Sequence, residues 1–124
     1  MPHASSFDEL EVYKLARKLS KEIYELTKSF PKEERYSLTD QIRRSSRSIG
    51  AQIAEAWARR RYENHFVSKL TDADGEQYET RHWIFSALDS DLLTQTAADE
   101  LMREYKIVGK QLQTMIDKSG GFCK

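Results

Sequence analysis

The sequence predicts an all-α fold, an up-down-up-down four-helix bundle with residues 1–124 forming one domain. Three observations carry this expectation. Apolar residues recur every three or four positions along four separate stretches, as amphipathic helices require. Only two prolines and five glycines interrupt 124 residues, so long unbroken helices are expected. No alternating apolar run and no Asn-Gly hairpin turn gives a strand signal. A chain of this length supports a single core.

The first helix is expected over residues 7–29. Ser6 can cap it while Glu9 reaches back, the capping-box arrangement. Val12, Leu15, Leu19, Ile23, Leu26 and Phe30 form its seam. Phe30-Pro31 ends it, because the residue before a proline is pushed out of the α region. The second helix, residues 38–59, follows Ser37 as cap, with Asp40 favouring the positive amino end. Leu38, Ile42, Ile49 and Ile53 share one face. Gly50 lies mid-helix at a cost of roughly 1 kcal/mol relative to alanine, so it marks a bend or a close helix contact.

Residues 59–64 contain neither glycine nor proline, so their composition does not forbid continuous helix. A reversal is nevertheless expected between Ala58 and Asn64, since an unbroken helix of about fifty residues far exceeds the usual range. The third helix, residues 63–88, carries Phe66, Leu70, Ala73, Gln77, Thr80, Ile84 and Ala87 on its seam. Asp89-Ser90-Asp91 interrupts, and Thr94 or Thr96 caps a fourth helix over residues 96–118. Its seam is Leu101, Tyr105, Val108, Leu112 and Met115. Gly120-Gly121 is expected to stop it and leave a frayed tail.

Twenty basic and twenty acidic residues balance to zero, but unevenly. Arg35 to Arg61 holds seven bases and two acids, a net +5; Asp72 to Glu104 holds two bases and nine acids, a net −7. Such asymmetry suits either a nucleic-acid face or two helices that attract each other. No run approaches the apolar length of a bilayer span, and Met1 to Phe7 lacks the apolar stretch of a signal peptide, so no membrane partner is expected. Cys123 is the only cysteine, which excludes a disulfide framework and favours a reducing cytoplasm.

With a reversal near residue 61, positions equidistant from it face each other. Arg43 then lies level with Glu79 and Arg47 with Gly75. Arg43 and Arg47 are accordingly expected to form interhelical or intersubunit ion pairs with Asp74, Glu76 and Glu79. The alternative for them is a phosphate-facing ring multiplied by symmetry. Arg59, Arg60 and Arg61, together with Arg44, are the candidate nucleic-acid-binding residues. The three in the turn have no obvious acidic partner beyond Glu55 and Glu63.

Glu79-Thr80-Arg81-His82 spells the Glu-x-x-His used in di-iron bundles, but only one copy exists. His3 and His65 complete no second copy, so neither metal nor cofactor is expected. Asp72-Ala73-Asp74-Gly75-Glu76 fails as a calcium loop, with its glycine too early and Trp83 where the closing glutamate belongs. Gln77 and Thr80 match Ser45 and Ser46 in distance from the turn, which predicts a hydrogen-bonded polar layer. No histidine lies level with either serine, so no catalytic serine and no enzyme activity are expected. Tyr13, Tyr24, Trp57, Tyr62, Tyr78, Trp83 and Phe85 lie off the seams and exceed what one narrow core can hold. They predict a protein interface, or stacking platforms for single-stranded nucleic acid.

Phe30-Pro31-Lys32-Glu33-Glu34, Tyr36-Ser37-Leu38, Gln41-Ile42-Arg43-Arg44 and Ile53-Ala54-Glu55 give the chain a family resemblance. From Phe7 to about Met115 it resembles the small bacterial four-helix-bundle family first met in intervening sequences of large-subunit ribosomal RNA genes. The resemblance implies homopentamers around a central axis, with no catalytic motif to carry over. The chain is also similar to the accessory variability proteins of diversity-generating retroelements, basic pentamers that bind nucleic acid and a reverse transcriptase. It departs from the commoner pattern at Gly50, where many members have proline, and at Ala56, where many have glycine. The second helix should be smoother for it.

The resulting expectation is a non-enzymatic oligomeric binding or scaffold protein. Its expected partners are its own copies, RNA or DNA, or a nucleic-acid enzyme. The alternative is a purely structural homo-oligomer of uncharacterised function whose arginines serve self-assembly.

Overall fold

The four stretches with three-and-four spacing form four long helices in the computed structural model, which describes residues 4–123. They are α1 (Glu11–Thr27), α2 (Leu38–Ala58), α3 (Glu63–Asp89) and α4 (Gln95–Asp117), followed by a one-turn α5 (Ser119–Phe122). Each long helix packs against its two neighbours, and no Cα of α1 lies within 8 Å of one in α3, nor any of α2 within 8 Å of one in α4. Gly50 lies by Tyr13 while Arg43 reaches Thr27, and Arg44 reaches Glu79 while Glu55 lies by Lys69, so these consecutive helices run antiparallel, as up-down-up-down requires. No strand is present among the described residues.

The apolar seams of α2, α3 and α4 meet in the centre. Ile42, Ile49, Ile53, Phe66, Leu70, Ile84, Tyr105, Val108 and Leu112 are all buried, as are Val12, Leu19 and Ile23 of α1. Burying side chains of this size contributes about 1.5–3 kcal/mol each. That term drives assembly, since isolated helices of such lengths are marginal in water. Leu15 and Leu26 lie at the rim of the α1 seam, where Ala16 and Thr27 take the buried positions.

The ends of the helices are set by local chemistry that partly overrides the expected caps. Phe7–Glu9 forms a 3-10 turn, and Leu10, in extended backbone, separates it from α1. The Ser6 hydroxyl is captured by the Asp8 carboxylate, and Glu9 accepts instead from the Ser5 N–H at 2.8 Å. The capping box at Ser6 is therefore corrected. α1 ends at Thr27 rather than at Phe30, because the chain tightens into 3-10 bonds ahead of Pro31, such as Phe30 N–H to the Thr27 carbonyl at 3.1 Å. Ser37 precedes α2 but does not cap it by its side chain; its hydroxyl donates to the Glu34 carboxylate at 2.8 Å.

The α2–α3 reversal falls at Arg59–Tyr62, inside the expected window. α3 closes with Asp91 in the left-handed region (φ 58°). Leu92 N–H bonds to the Ala87 carbonyl at 2.8 Å and Asp91 N–H to the Leu88 carbonyl at 3.1 Å, the paired bonds of a Schellman end. Thr94 caps α4 by accepting from Ala97 N–H at 3.1 Å.

The tail departs from expectation. α4 stops at Asp117, and Gly120-Gly121 lie within α5. The Phe122 ring stacks on Phe66 at 5.8 Å between centroids, and the Ser119 hydroxyl donates to the Glu63 carboxylate. An apolar anchor thus docks the segment that its glycines would otherwise leave frayed.

Candidate nucleic-acid interface

Successive helix residues project about 100° apart, so Arg43 and Arg44 fall on opposite flanks of the buried Ile42–Ser46–Ile49–Ile53 stripe. The flank that holds Arg44 faces α3. There Arg44 Nη2 donates to the Glu79 carboxylate and Nη1 lies 3.5 Å from the Glu76 carboxylate. Ser48 donates to the same Glu76 oxygen at 3.1 Å, and Lys69 lies 3.9 Å from Glu55. Hydrogen bonding to Glu79 holds the Arg44 pKa above its ordinary value. The Glu79 carboxyl is lowered, chiefly by the Trp83 indole N–H at 3.0 Å and then by Arg44, against the opposing effect of burial.

The flank that holds Arg43 and Arg47 faces α1. Arg43 Nε donates to the Thr27 hydroxyl at 2.7 Å and Nη2 to the Tyr24 carbonyl at 3.4 Å. Its guanidinium lies 4.5 Å from the Tyr24 ring centroid, that of Arg47 5.3 Å, and the Lys28 ammonium 5.1 Å. The ion pairing expected for Arg43 and Arg47 with Asp74, Glu76 and Glu79 is therefore corrected: Arg44 takes Glu76 and Glu79. Asp74 accepts from Gln77 Nε2 at 2.9 Å instead. The axial register was legible in the sequence, but the flank was not. Among the described residues neither Arg43 nor Arg47 has a carboxylate within ion-pair distance.

The turn itself presents Arg59, Arg60 and Arg61. Arg59 and Arg61 are exposed and Arg60 is half-buried. Arg60 lies over Trp57, its guanidinium carbon 3.7 Å from a ring centroid, and its Nε donates to the Trp57 carbonyl at 2.9 Å. The two acids nearest in sequence are engaged elsewhere, Glu55 by Lys69 and Glu63 by Ser119. None of the three arginines forms an ion pair among the described residues. Trp57, Ala58, Arg60 and Arg61 line a shallow depression of about 480 Å³.

The polar layer is present in part. The Thr80 hydroxyl bonds Ser45 Oγ at 2.9 Å, whereas Ser46 turns to the Arg43 carbonyl at 3.1 Å and Gln77 to Asp74. Gln77 is buried with its carbonyl oxygen unpaired among the described residues, and Gly109 of α4 makes room for its amide. Glu79, from the Glu-x-x-His, is held by Arg44 and Trp83, while His82 packs edge-on to Trp83 at 4.8 Å. Among the described residues no three His, Cys, Asp or Glu side chains converge as a metal site would need. His3 lies outside the described residues. Burial raises the Tyr105 phenol far above its ordinary pKa, and among the described residues its hydroxyl has no hydrogen-bond partner.

Of the seven aromatic residues off the seams, Tyr13, Trp57 and Trp83 are half-buried against the core. Tyr24, Tyr62, Tyr78 and Phe85 are exposed, and so is Tyr36, which periodicity did not single out. The Tyr24–Lys28–Thr27 cluster was also missed. Its signal is the antiparallel pairing of α1 with α2, which brings Tyr24 and Lys28 opposite Arg43 and Arg47.

Four antiparallel helices with one basic, aromatic-backed edge define a small all-α bundle protein. The chain belongs to the 23S rRNA-intervening sequence protein family, which it matches over residues 8–114. Among solved structures it is similar to a protein with unknown function from the S23 ribosomal protein family of Bacteroides thetaiotaomicron VPI-5482. The two are 26% identical with a TM-score of 0.78, over 86% of this chain and 95% of that one. No curated protein matches the chain. Among the described residues no helix is long and apolar enough to cross a membrane.

Proposed function

We propose that this protein is a non-enzymatic, cytoplasmic homo-oligomer that binds RNA or DNA by its phosphates through the α2–α3 turn. The observation that carries this reading is the turn's unneutralised charge. Arg59, Arg60 and Arg61 stand together without an ion pair among the described residues: Glu55 is paired with Lys69, and Glu63, still charged, turns to the Ser119 hydroxyl. Stacking on Trp57 pre-orients the Arg60 fork, which suits a phosphate oxygen pair. Such contacts position a nucleic acid without reading its bases.

Self-assembly is supported by Tyr78 and Phe85, exposed two turns apart on one side of α3, and the family resemblance favours five copies. Symmetry would then repeat the basic turn and raise both the local potential and the avidity. A nucleic-acid enzyme is a further partner consistent with this scaffold role.

The test is the triple change of Arg59, Arg60 and Arg61 to glutamine. Helix content and solution mass should be unchanged, and affinity for oligonucleotides should fall for all sequences alike. Wild-type affinity in the triple variant would overturn the reading. One observation favours a purely structural oligomer as the second reading: Arg44 is already neutralised across the α2–α3 interface by Glu76 and Glu79. Under that reading no oligonucleotide binds even at low salt.

A further inference from the structure

The cations around Tyr24 are the strongest feature that the turn does not absorb. Lys28, Arg43 and Arg47 all lie within 4.5–5.3 Å of one ring centroid. Among the described residues the only carboxylate that meets any of them is Glu25, 3.2 Å from Lys28. Three like charges held together with one acid repel each other, and an anion placed between them relieves that repulsion. The site is also ordered in advance. Thr27, itself buried, and the Tyr24 carbonyl fix Arg43 through Nε and Nη2, which leaves Nη1 free to donate outward.

The position of this cluster matters as much as its charge. Trp57, which carries Arg60, is fourteen residues beyond Arg43 on α2. At 100° and 1.5 Å per residue, the two lie within about 40° of one another around the helix and about 21 Å apart along it. One edge of α2 therefore carries a basic aromatic cluster at each end. Gly50, with the Tyr13 ring beside it, and Ala54 are half-exposed between the two ends. A polymer with regularly repeated anions can meet both ends at once. At 3.4 Å per step of a helical strand, the gap corresponds to about six nucleotides.

We infer that Lys28, Arg43 and Arg47, gathered on Tyr24, form a second phosphate-binding site for nucleic-acid backbone, which holds the same strand that the α2–α3 turn grips. The inference rests on the nucleic-acid reading of that turn, but its residues are separate. It assigns the α1–α2 edge as the track of the strand and sets a minimum length for full affinity.

The experiment compares fluorescence anisotropy of labelled oligothymidylates in wild-type protein, K28Q/R47Q and R59Q/R60Q/R61Q. One probe is a trinucleotide, too short to bridge the clusters, and the other has about a dozen nucleotides, long enough for about two such spans of single strand. Arg43 is left in place because it bonds Thr27, whereas Lys28 and Arg47 are exposed and, among the described residues, make no side-chain hydrogen bond to another helix. K28Q/R47Q should weaken the long probe about tenfold and flatten its log–log salt slope by about 1.4, two single-strand contacts. The trinucleotide should lose less. If the double variant melts early, R47Q alone should give about half that loss of slope.

Wild-type affinity and slope in K28Q/R47Q, with loss in the turn variant, would overturn this site and leave the turn reading standing. Loss in K28Q/R47Q alone would do the reverse. An acidic polyglutamate peptide that binds the patch in place of the oligothymidylate would assign the site to an acidic protein surface and overturn it.

Discussion

The Thr80 hydroxyl meets Ser45 Oγ at 2.9 Å in the buried centre of the α2–α3 interface. Both side chains are fully buried, and Thr80 also bonds the Glu76 carbonyl at 2.8 Å. This small polar contact sits between Ile42 and Ile49 of α2 and beside Ile84 of α3, where a register slip would break it and leave each hydroxyl only a carbonyl of its own helix. Ser45→Ala and Thr80→Ala should each cost about 1 kcal/mol, with the double change falling short of their sum by about as much. A double-mutant cycle in urea measures the coupling, and full additivity would deny that the two hydroxyls act together.

Arg44 and Glu79 make stability depend on pH in a defined direction. The Glu79 carboxyl is lowered in the folded state, so its contribution is present above the ordinary carboxylate range and lost as pH falls through the lowered value. Arg44→Gln should therefore destabilise most near neutral pH, by less than about 1 kcal/mol since both side chains are partly solvated. The gap to wild type should close in acid. Urea midpoints across the pH range check this, and a gap that widens in acid would contradict it.

Gly75 and Gly109 both lie inside helices, and the prediction is opposite for the two. A Cβ at Gly75 would meet nothing within 4 Å, so Gly75→Ala should stabilise by roughly 1 kcal/mol. A Cβ at Gly109 would come within 2.9 Å of Gln77 Nε2, which is buried and bonded to Asp74. Displacing that amide should cancel or exceed the helix gain, with overpacking costs of about 1–3 kcal/mol. In a Gln77→Ala background the obstruction is gone, and Gly109→Ala should become stabilising. Thermal melts of the four variants read the signs directly.

Phe122 holds the tail through its stack on Phe66. Phe122→Ala should cost about 1–2 kcal/mol through lost burial and ring contact. Hydrogen exchange at α5 should rise well before the rest of the bundle opens. Unchanged exchange would mean that Ser119 and Glu63 suffice to dock it.

Much of this fold was legible because a buried seam imposes a period. Every seam residue read on α3 and α4 is buried, including Gln77 and Thr80, whose polarity hid the stripe from composition. The reversal at Arg59–Tyr62 followed from length alone. What escaped is what a period does not encode. It locates the apolar stripe but not which neighbour lies on either side, so Arg43 and Arg44, one residue apart, exchanged their expected roles. Caps failed where a nearer acid took the hydroxyl, Asp8 at Ser6 and Glu34 at Ser37. The tail was misread because glycine chemistry was weighed without the Phe122 anchor beyond it.

The measurement that tests the central claim most directly is the salt dependence of duplex DNA binding by wild-type protein and by R59Q/R60Q/R61Q. Phosphate contacts release counterions, so log affinity should fall linearly with log salt, by about 0.9 for each contact. The triple variant should bind more weakly, with a slope shallower by up to about 2.7, and melt close to wild type, since Arg59 and Arg61 are solvated and only Arg60 gives up its contact with Trp57. An affinity indifferent to salt, or an unchanged slope in the variant, would contradict a phosphate-gripping turn.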